Sequence, residues 1–329
     1  MSSEKRSAAR GVFVNTCDSA RSDVTHQGPI RTFDQMVEHV KSSIKTPSIA
    51  IAAGHDRNCL EASLRAIDAT GCEITIVGDS RRIEKVCGEH DLDSGRFEVL
   101  DEPDDLRAGQ RAVEMIRTGR AKALMKGVLS TDKYMKCVLD KEKGLLPKGG
   151  LLTHLSVMQL PAYHKLLFLS DVAIVPNPTL EQKGQIMSYA VEAAKRFGIE
   201  HPKVALLAAS EKVSERMPAT MEAAVLSKMA ERGQIAPGAI VDGPLALDVA
   251  ISQEAVEIKG LESAVAGDAD VLIFPNIETG NVFYKSLTAF TKVRVGAVVA
   301  GATAPCVLTS RADSDDNKFV SMVLSSILG

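Results

Sequence analysis

Residues 48–79, SIAIAAGHDRNCLEASLRAIDATGCEITIVGD, decide the fold class of this chain. The runs at 48–54 and 73–79 are rich in Ile, Val and Ala, and each ends in Gly or Asp, as buried strands do. The segment between them repeats apolar residues with the period of an α-helix. A strand, a helix and a second strand in this order form a βαβ unit, so the stretch predicts an α/β fold with parallel strands.

The same alternation continues along the rest of the chain. Further strands are expected at 121–127, 172–177, 203–209, 239–243, 269–276 and 304–310. Helices are expected at 58–70, 105–119, 132–140, 181–197, 218–232 and 282–290. The pattern therefore predicts mostly parallel sheets with flanking helices.

One segment interrupts this alternation. Residues 141–156, KEKGLLPKGGLLTHLS, contain three Gly and one Pro, which places a domain junction near Gly150. The last strand and helix are too small to fold alone, so domain I is expected to comprise 32–149 and 295–329, and domain II 150–294. Residues 1–31 are polar and predict a disordered tail; a transit peptide is the alternative, which the acidic residues within the segment disfavour.

Composition excludes several classes of protein. The 329 residues carry 39 Lys+Arg against 42 Asp+Glu, a net charge of -3, so no overall positive field attracts nucleic acid or an anionic membrane. No apolar stretch approaches the roughly 20 residues that a spanning helix needs. The six cysteines form no CxxC and no Cys/His cluster with metal-ligand spacing, which predicts reduced thiols in a cytoplasmic protein without a metal.

The sequence lacks GxGxxG, GxxxxGK[ST], HExxH and GxSxG, so the common nucleotide, zinc-protease and hydrolase motifs are absent. Ligands of open α/β sheets bind beyond the carboxyl ends of the strands. Candidate site residues are therefore expected at those ends.

The end of the last predicted strand carries the first candidate site. The strand leads into SRADSDD, which puts Ser310 or Ser314 at a helix N-terminus beside Arg311. Backbone N–H groups and a guanidinium there suit a phosphate or an oxyanion. A plain helix cap, with Asp313 and Asp316 complementing the helix dipole, is the alternative.

A second candidate site follows the strand at 121–127. Lys126 and Gly127 end that strand, Ser130 and Thr131 are possible N-caps of the next helix, and Lys136 lies in its second turn. Gly lets a backbone approach a phosphate closely, and the lysines add positive charge. An ordinary turn with solvated lysines is equally compatible with this spacing.

Polar residues also follow the strand at 269–276. Glu278, Thr279, Gly280 and Asn281 come directly after it, and Lys285 lies one turn further on. This density indicates a lined pocket, with a loop capped by Asn281 as the structural alternative.

Histidine adds one candidate to these sites. Of the seven His residues, His154 at the proposed junction, close to Thr153 and Ser156, is the strongest candidate for a functional role. His55, after the first strand, is expected to be structural.

Five long motifs in this order resemble those of the phosphate acetyl/butyryltransferase family over residues 45–328. They are the segments 124–145, 174–213, VDGPLALDVAIS at 241–252, 260–287 and APCVLTSRADS at 304–314. The SRADS segment is similar to the phosphate butyryltransferase branch of that family.

The resemblance implies a two-domain fold similar to that of the isocitrate and isopropylmalate dehydrogenases, and a homodimer or higher homo-oligomer formed through the second domain. It implies acyl-CoA and inorganic phosphate as substrates, interconverted with acyl phosphate and CoA in a ternary complex. It implies no metal or redox cofactor.

Site roles also follow from the resemblance. It assigns Ser310 to the thiol or the oxyanion and Arg311 to the phosphate or the carbonyl, with Asp316 as the base and Asp313 as the second candidate. Lys136 stands where related enzymes carry a phosphate-contacting Arg, and Lys lacks the bidentate fork of that side chain.

Three other functions are compatible with the sequence. They are a non-catalytic acyl-CoA-binding protein, an acyl-carrier-protein phosphate acyltransferase and a metal-dependent dehydrogenase, all on the same fold.

Overall fold

The computed structural model describes residues 28–308 and 314–329, and contacts divide the chain into two compact units. Within the described residues, unit 1 comprises Met36–Leu152 and Gly296–Gly329, and unit 2 comprises Gly28–Gln35 and Thr153–Val295. Residues 32–35 therefore group with unit 2, whereas the sequence assigned them to domain I. The reason is local pairing: Ile30 N donates to Phe197 O at 2.9 Å, and Phe33 N donates to Gln159 Oε1 at 2.8 Å.

The described helices mostly begin at side-chain caps. They are α1 (Phe33–Ser43), α2 (Arg57–Thr70), α3 (Ser80–Glu89), α4 (Asp105–Arg117), α5 (Thr131–Val138), α6 (Leu180–Arg196), α7 (Pro218–Glu231), α8 (Leu247–Ile251), α9 (Gln253–Lys259), α10 (Ile277–Phe290) and α11 (Asp315–Leu328).

The described strands are short and largely buried. They are β1 (Ser48–Ala52), β2 (Glu73–Gly78), β3 (Glu98–Asp101), β4 (Ala123–Lys126), β5 (Thr153–Gln159), β6 (Leu167–Ser170), β7 (Lys203–Leu207), β8 (Ile240–Leu245), β9 (Val271–Ile273), β10 (Arg294–Ala300) and β11 (Cys306–Val307).

In unit 1 the strand order is β3-β2-β1-β4-β11-β10. The first five strands are parallel, and β10 runs antiparallel to β11. Helix α11 is a core helix, since every residue from Lys318 to Leu328 is buried. The predicted parallel α/β arrangement is confirmed. Because these strands are parallel, the carboxyl ends of β1, β2, β4 and β11 share one edge.

In unit 2 the order is β5-β6-β9-β7-β8, and β5 is antiparallel to β6 while the other pairs are parallel. The amino end of β5 therefore lies beside the carboxyl end of β6. A buried cluster that includes Met158, Leu169, Leu207 and Phe274 packs on this sheet.

The sequence predictions for unit 2 place one strand wrongly and miss two others, β5 and β6. Residues 172–177 are not a strand; β6 ends at Ser170, and the Asp171 side chain accepts from the N–H groups of Ala173 and Ile174, which turns the chain. Strand β5 was missed because Thr153 and Ser156 made it read as a polar junction. Both side chains are buried and hydrogen-bonded.

No helix among the described residues is long and apolar enough to cross a membrane.

Candidate active site

The carboxyl edge of the unit 1 sheet brings several predicted residues together. Strands β1, β4 and β11 are parallel neighbours, so their carboxyl ends meet at this edge. Strand β11 is followed by residues 309–313 and then by α11. Ser310, Arg311 and Asp313 lie outside the described residues. The edge is where an open α/β sheet binds ligands.

The N-terminus of α11 is tied to α2. Ser314 is the N-cap, and its Oγ accepts from Asn317 N at 3.2 Å. Asp316 lies in the first turn, with Oδ1 2.9 Å from Arg65 Nη2. The Arg65 guanidinium also lies 4.0 Å from the Phe319 ring centroid. The carboxylate predicted as base is therefore already held by a cation on a neighbouring helix.

Lys126 and Gly127 lie where β4 ends. Lys126 is buried, and its Nζ donates to the carbonyl oxygens of Gly127 at 3.0 Å and Leu129 at 3.3 Å. A Cβ at position 127 would lie 2.1 Å from the Ala53 carbonyl oxygen, so only glycine allows this approach of the turn to β1.

Helix α5 carries the other predicted residues of this region. Ser130 is its N-cap and accepts from Lys133 N at 3.3 Å, and Thr131 is its first residue. Lys136 is exposed on the same helix, where it lines a cavity of about 370 Å³ together with Arg107 and Arg111 of α4. Ser130, Thr131 and Lys136 are thus exposed, and the cavity beside Lys136 is also lined by the carboxylates of Glu102, Glu114 and Asp140.

The structure adds two residues at this edge that sequence reasoning missed. Asp56 caps α2 by accepting from Cys59 N at 3.0 Å. Lys318 Nζ lies 3.3 Å from the same carboxylate oxygen, and the lysine is only 4% exposed. Asp56 was readable as an N-cap after a strand, but nothing in the sequence linked it to Lys318.

His55 also lies at this edge, immediately after the turn that follows β1. Its Nδ1 is buried without a hydrogen-bond partner among the described residues, although the ring as a whole is only half-buried. Burial, and next the positive charge of Arg82, lower the pKa of His55. Ala53, two residues earlier, has φ 56°, a conformation that alanine rarely adopts. Such strain is concentrated at functional sites.

The cysteine thiols of this region are chemically inert. Cys59 and Cys306 are free and buried. Burial raises the pKa of each thiol to about 12, so neither supplies a thiolate near neutral pH. Neither thiol is therefore suited to act as the nucleophile of an acyl-cysteine intermediate.

In unit 2, His154 lies at the amino end of β5 next to the carboxyl end of β6. Asp171 Oδ2 accepts from His154 N at 3.0 Å and from Thr153 Oγ1 at 2.7 Å. His154 Nδ1 lies 3.3 Å from Ser156 Oγ, and its ring meets that of Tyr284 edge-on at 6.2 Å. Asp171 is a further residue that sequence reasoning missed, because the strand was placed after it.

Helix α10 begins at this same end of unit 2. Its N-cap is Asn276, whose Oδ1 accepts from Thr279 N at 3.0 Å, so the structural alternative of a loop capped by Asn281 is wrong. The amide of Asn281 instead donates to Val172 O at 2.9 Å, from within the helix. The earlier cap satisfies a free N–H of the first turn, which begins five residues before the predicted start.

The predicted α10 residues divide into two groups. Glu278, Thr279 and Lys285 are exposed. Gly280 is buried, and a Cβ there would lie 2.4 Å from the Asp171 carbonyl oxygen. Gly280 and Asn281 thus fasten α10 to the segment after β6, while the exposed residues face outward.

Within residues 28–308 and 314–329, no group of three or more His, Cys, Asp or Glu side chains is arranged to hold a metal ion.

Sequence comparison identifies the proteins that this chain is related to. Residues 107–326 match the family model for phosphate acetyl/butaryl transferase. The chain is 42% identical over 299 residues to the phosphate butyryltransferase of Clostridium acetobutylicum, covering 91% of this chain and 98% of that protein. It is 41% identical to the phosphate acetyltransferase of Thermotoga maritima, over 89% of this chain and 98% of that protein.

A solved structure agrees with these sequence matches. The structure of a branched-chain phosphotransacylase from Enterococcus faecalis V583 has a TM-score of 0.75 and 32% identity, and the match covers 86% of this chain and 99% of that chain. Both the sequence and the fold thus point to one group of enzymes, and the chain belongs to the phosphate acetyl/butyryl transferase family.

Proposed function

We propose that this enzyme interconverts a short-chain acyl-CoA and inorganic phosphate with an acyl phosphate and CoA. The observation that carries the proposal is full-length similarity of about 40% to transferases of this type. The chemistry of the carboxyl edge of unit 1 agrees with it, because buried ammonium groups and a helix N-terminus suit phosphate.

The proposed step is a direct acyl transfer. An oxygen of hydrogen phosphate attacks the thioester carbonyl carbon, a C–O bond forms, and the electron pair of the C=O bond moves to oxygen. The C–S bond then breaks as the carbonyl re-forms, and the proton of hydrogen phosphate ends on the CoA sulfur. No oxidant, reductant or other co-reactant is needed, so we propose that no cofactor takes part.

In the reverse direction the CoA thiol must lose its proton. A thiol with a pKa of about 8.5 is mostly protonated at neutral pH, and a positioned base contributes roughly 10²- to 10⁴-fold. We propose Asp316 as this base, with Asp313 as the second candidate. Ser310 would donate to the thiol or the oxyanion and Arg311 to the phosphate or the carbonyl, because developing negative charge needs preorganised donors.

The remaining predicted residues are proposed to bind the substrates. In unit 1 these are Lys126, Gly127, Ser130, Thr131 and Lys136, and the buried ammonium of Lys126 supports this role. In unit 2 they are His154, Glu278, Thr279, Gly280, Asn281 and Lys285. Binding both substrates in one orientation lowers the entropic part of the barrier.

We further propose that the enzyme is a homodimer or a higher homo-oligomer. Support comes from apolar side chains left in water on α10, where Val282 is 67% exposed and Phe290 is 86% exposed. The mass of the protein in solution, measured by light scattering after size exclusion, tests this. A monomer at micromolar concentration would contradict it.

The reaction is tested with purified enzyme and a panel of acyl-CoAs from acetyl to hexanoyl, following free CoA with and without phosphate. We expect CoA release that requires phosphate, with acyl phosphate trapped as the hydroxamate. Ser310→Ala should lower turnover by an order of magnitude or more while CoA still binds. Absence of release with every acyl-CoA, and of the reverse reaction with acyl phosphate, would overturn the proposal. Unchanged turnover in Ser310→Ala would contradict the role of that residue.

A further inference from the structure

Lys318 is a buried cation that has no role in the reaction steps proposed above. It lies in α11, one turn after the N-cap Ser314, and is only 4% exposed. An ammonium group has three N–H donors. Within the part of the chain that the structure describes, only one partner lies within reach, Asp56 Oδ1 at 3.3 Å.

That single contact leaves the ammonium poorly satisfied. A buried charge is normally paired and fully hydrogen-bonded, because its desolvation is otherwise unfavourable. The Asp56 oxygen that Lys318 contacts also accepts from Cys59 N at 3.0 Å, so it is shared. Two of the three N–H donors of Lys318 therefore remain for another acceptor.

The surroundings indicate what that acceptor is. Lys126 is the last residue of β4, and Lys318 lies in α11, which packs against β4 and β11; both lysines are buried, so two buried ammonium groups belong to this part of unit 1. Both belong to the carboxyl edge of unit 1, where β4 and β11 end and α11 begins. A site with two cations and a helix N-terminus favours a group with several anionic oxygens.

We propose that Lys318 binds a phosphate oxygen of a substrate, and that Asp56 orients its ammonium group. The inference rests on the proposed acyl transfer, and it adds to that reaction a residue that the sequence did not single out. The phosphate group belongs either to inorganic phosphate and acyl phosphate or to the phosphate esters of CoA. Kinetics separate these two sources.

The experiment compares the wild-type enzyme with Lys318→Met, Lys318→Arg and Asp56→Asn. Lys318→Met keeps most of the side-chain length but removes the charge and the donors. We expect it to raise the KM for one phosphate-bearing substrate by roughly tenfold or more, as loss of a hydrogen bond to a charged group does. A rise for inorganic phosphate identifies the first source, and a rise for acyl-CoA identifies the second. Lys318→Arg should restore most of the affinity.

Asp56→Asn separates substrate binding from a structural role. Asn keeps the cap oxygen for Cys59 N but removes the carboxylate charge. A Lys318 that only neutralises Asp56 predicts equal effects of Lys318→Met and Asp56→Asn on KM and on Tm. A Lys318 that binds phosphate predicts a much larger KM change for Lys318→Met. Lys85→Met is the control, because that side chain is 73% exposed on α3.

A direct binding measurement keeps the two hypotheses distinguishable. Titration calorimetry with inorganic phosphate and with CoA, on each folded variant, does not depend on turnover. Wild-type enzyme without phosphate-dependent CoA release would reject the proposed function, while weaker binding of either ligand to Lys318→Met would still support the site. Unchanged KM values and unchanged binding of both ligands in a folded Lys318→Met variant would reject the role of Lys318.

Discussion

The Arg65 guanidinium lies 2.9 Å from a carboxylate oxygen of Asp316 and packs on the Phe319 ring, which fixes the first turn of α11 against α2. The turn directly follows the segment that carries Ser310 and Arg311. The pair therefore holds a carboxylate proposed as the base in one orientation.

Removing the partner cation should lower turnover. In Arg65→Met we expect kcat for CoA acylation by acyl phosphate to fall, because the Asp316 carboxylate is no longer held in place. Asp316→Asn should lower kcat by roughly 10²-fold or more, as loss of a general base does. Arg57→Met is a matched control on α2, since among the described residues Arg57 pairs only with Glu61, at the surface. Unchanged kcat in Arg65→Met, with full activity in Asp316→Asn, would move the role of base to Asp313.

His55 should make stability depend on pH. Its pKa is lowered in the folded protein by burial and by Arg82, from the ordinary value of 6.5. The unfolded chain therefore binds more protons once the pH falls below 6.5, and stability decreases as the pH falls through this range. His55→Gln removes this contribution, so the decrease in the urea midpoint from about pH 8 to about pH 5.5 should be smaller than in the wild type. The exposed His90→Gln should leave the decrease as it is. An identical decrease in His55→Gln would show that the ring is not desolvated in the folded state.

Asp171 should be important for stability. Its carboxylate is buried and accepts four hydrogen bonds, two from Ala173 N and Ile174 N and two from Thr153 Oγ1 and His154 N. Asp171→Asn turns an NH₂ group toward donors, so we expect a loss of about 2–4 kcal/mol in the free energy of unfolding. Urea denaturation measures it. The exposed Asp68→Asn, which breaks the surface pair with Arg96, should lose no more than about 1 kcal/mol. Equal losses in the two variants would contradict the buried network.

Two helical glycines should respond oppositely to alanine. A Cβ at Gly280 of α10 would lie 2.4 Å from the Asp171 carbonyl oxygen, whereas one at Gly88 of α3 meets no atom within 4 Å. Gly280→Ala should destabilise by about 1–3 kcal/mol through overpacking. Gly88→Ala should stabilise by up to about 1 kcal/mol, because alanine has the higher helix propensity. Thermal unfolding of both variants tests this prediction. A stabilised Gly280→Ala variant would show that α10 does not pack closely on the segment after β6.

The fold was largely predictable from the sequence because most strands are short apolar runs that end in turn residues. Strand β1 and the residues that follow it, Gly54 and Asp56, illustrate this pattern. Three strands, β3, β6 and β10, were not predicted, and two further errors fell where burial did not follow apolarity. Strand β5 begins with Thr153, whose polar side chain is buried against Asp171, and residues 172–177 are apolar but turn around the same carboxylate. Local composition does not reveal such pairing.

Site residues that follow a strand directly were predictable from the sequence, whereas contacts between residues far apart in the chain were not. Lys126 and Gly127 were identified because both follow a strand directly. The pair of Lys318 and Asp56 was not, because it joins residues 262 positions apart through the packing of α11 on α2. The N-cap of α10 is Asn276 and not Asn281. The sequence does not separate the two, because an asparagine at either position could cap a helix. A helix cap is decided by backbone conformation, which the residue types alone do not fix.

The most direct test of the central claim is the pattern of initial rates over a grid of acyl-CoA and phosphate concentrations. Direct attack in a ternary complex predicts lines that intersect in double-reciprocal plots, and no CoA release at zero phosphate. Parallel lines would indicate an acyl-enzyme, and release without phosphate would indicate a thioesterase. Either result would contradict transfer of the acyl group straight to phosphate.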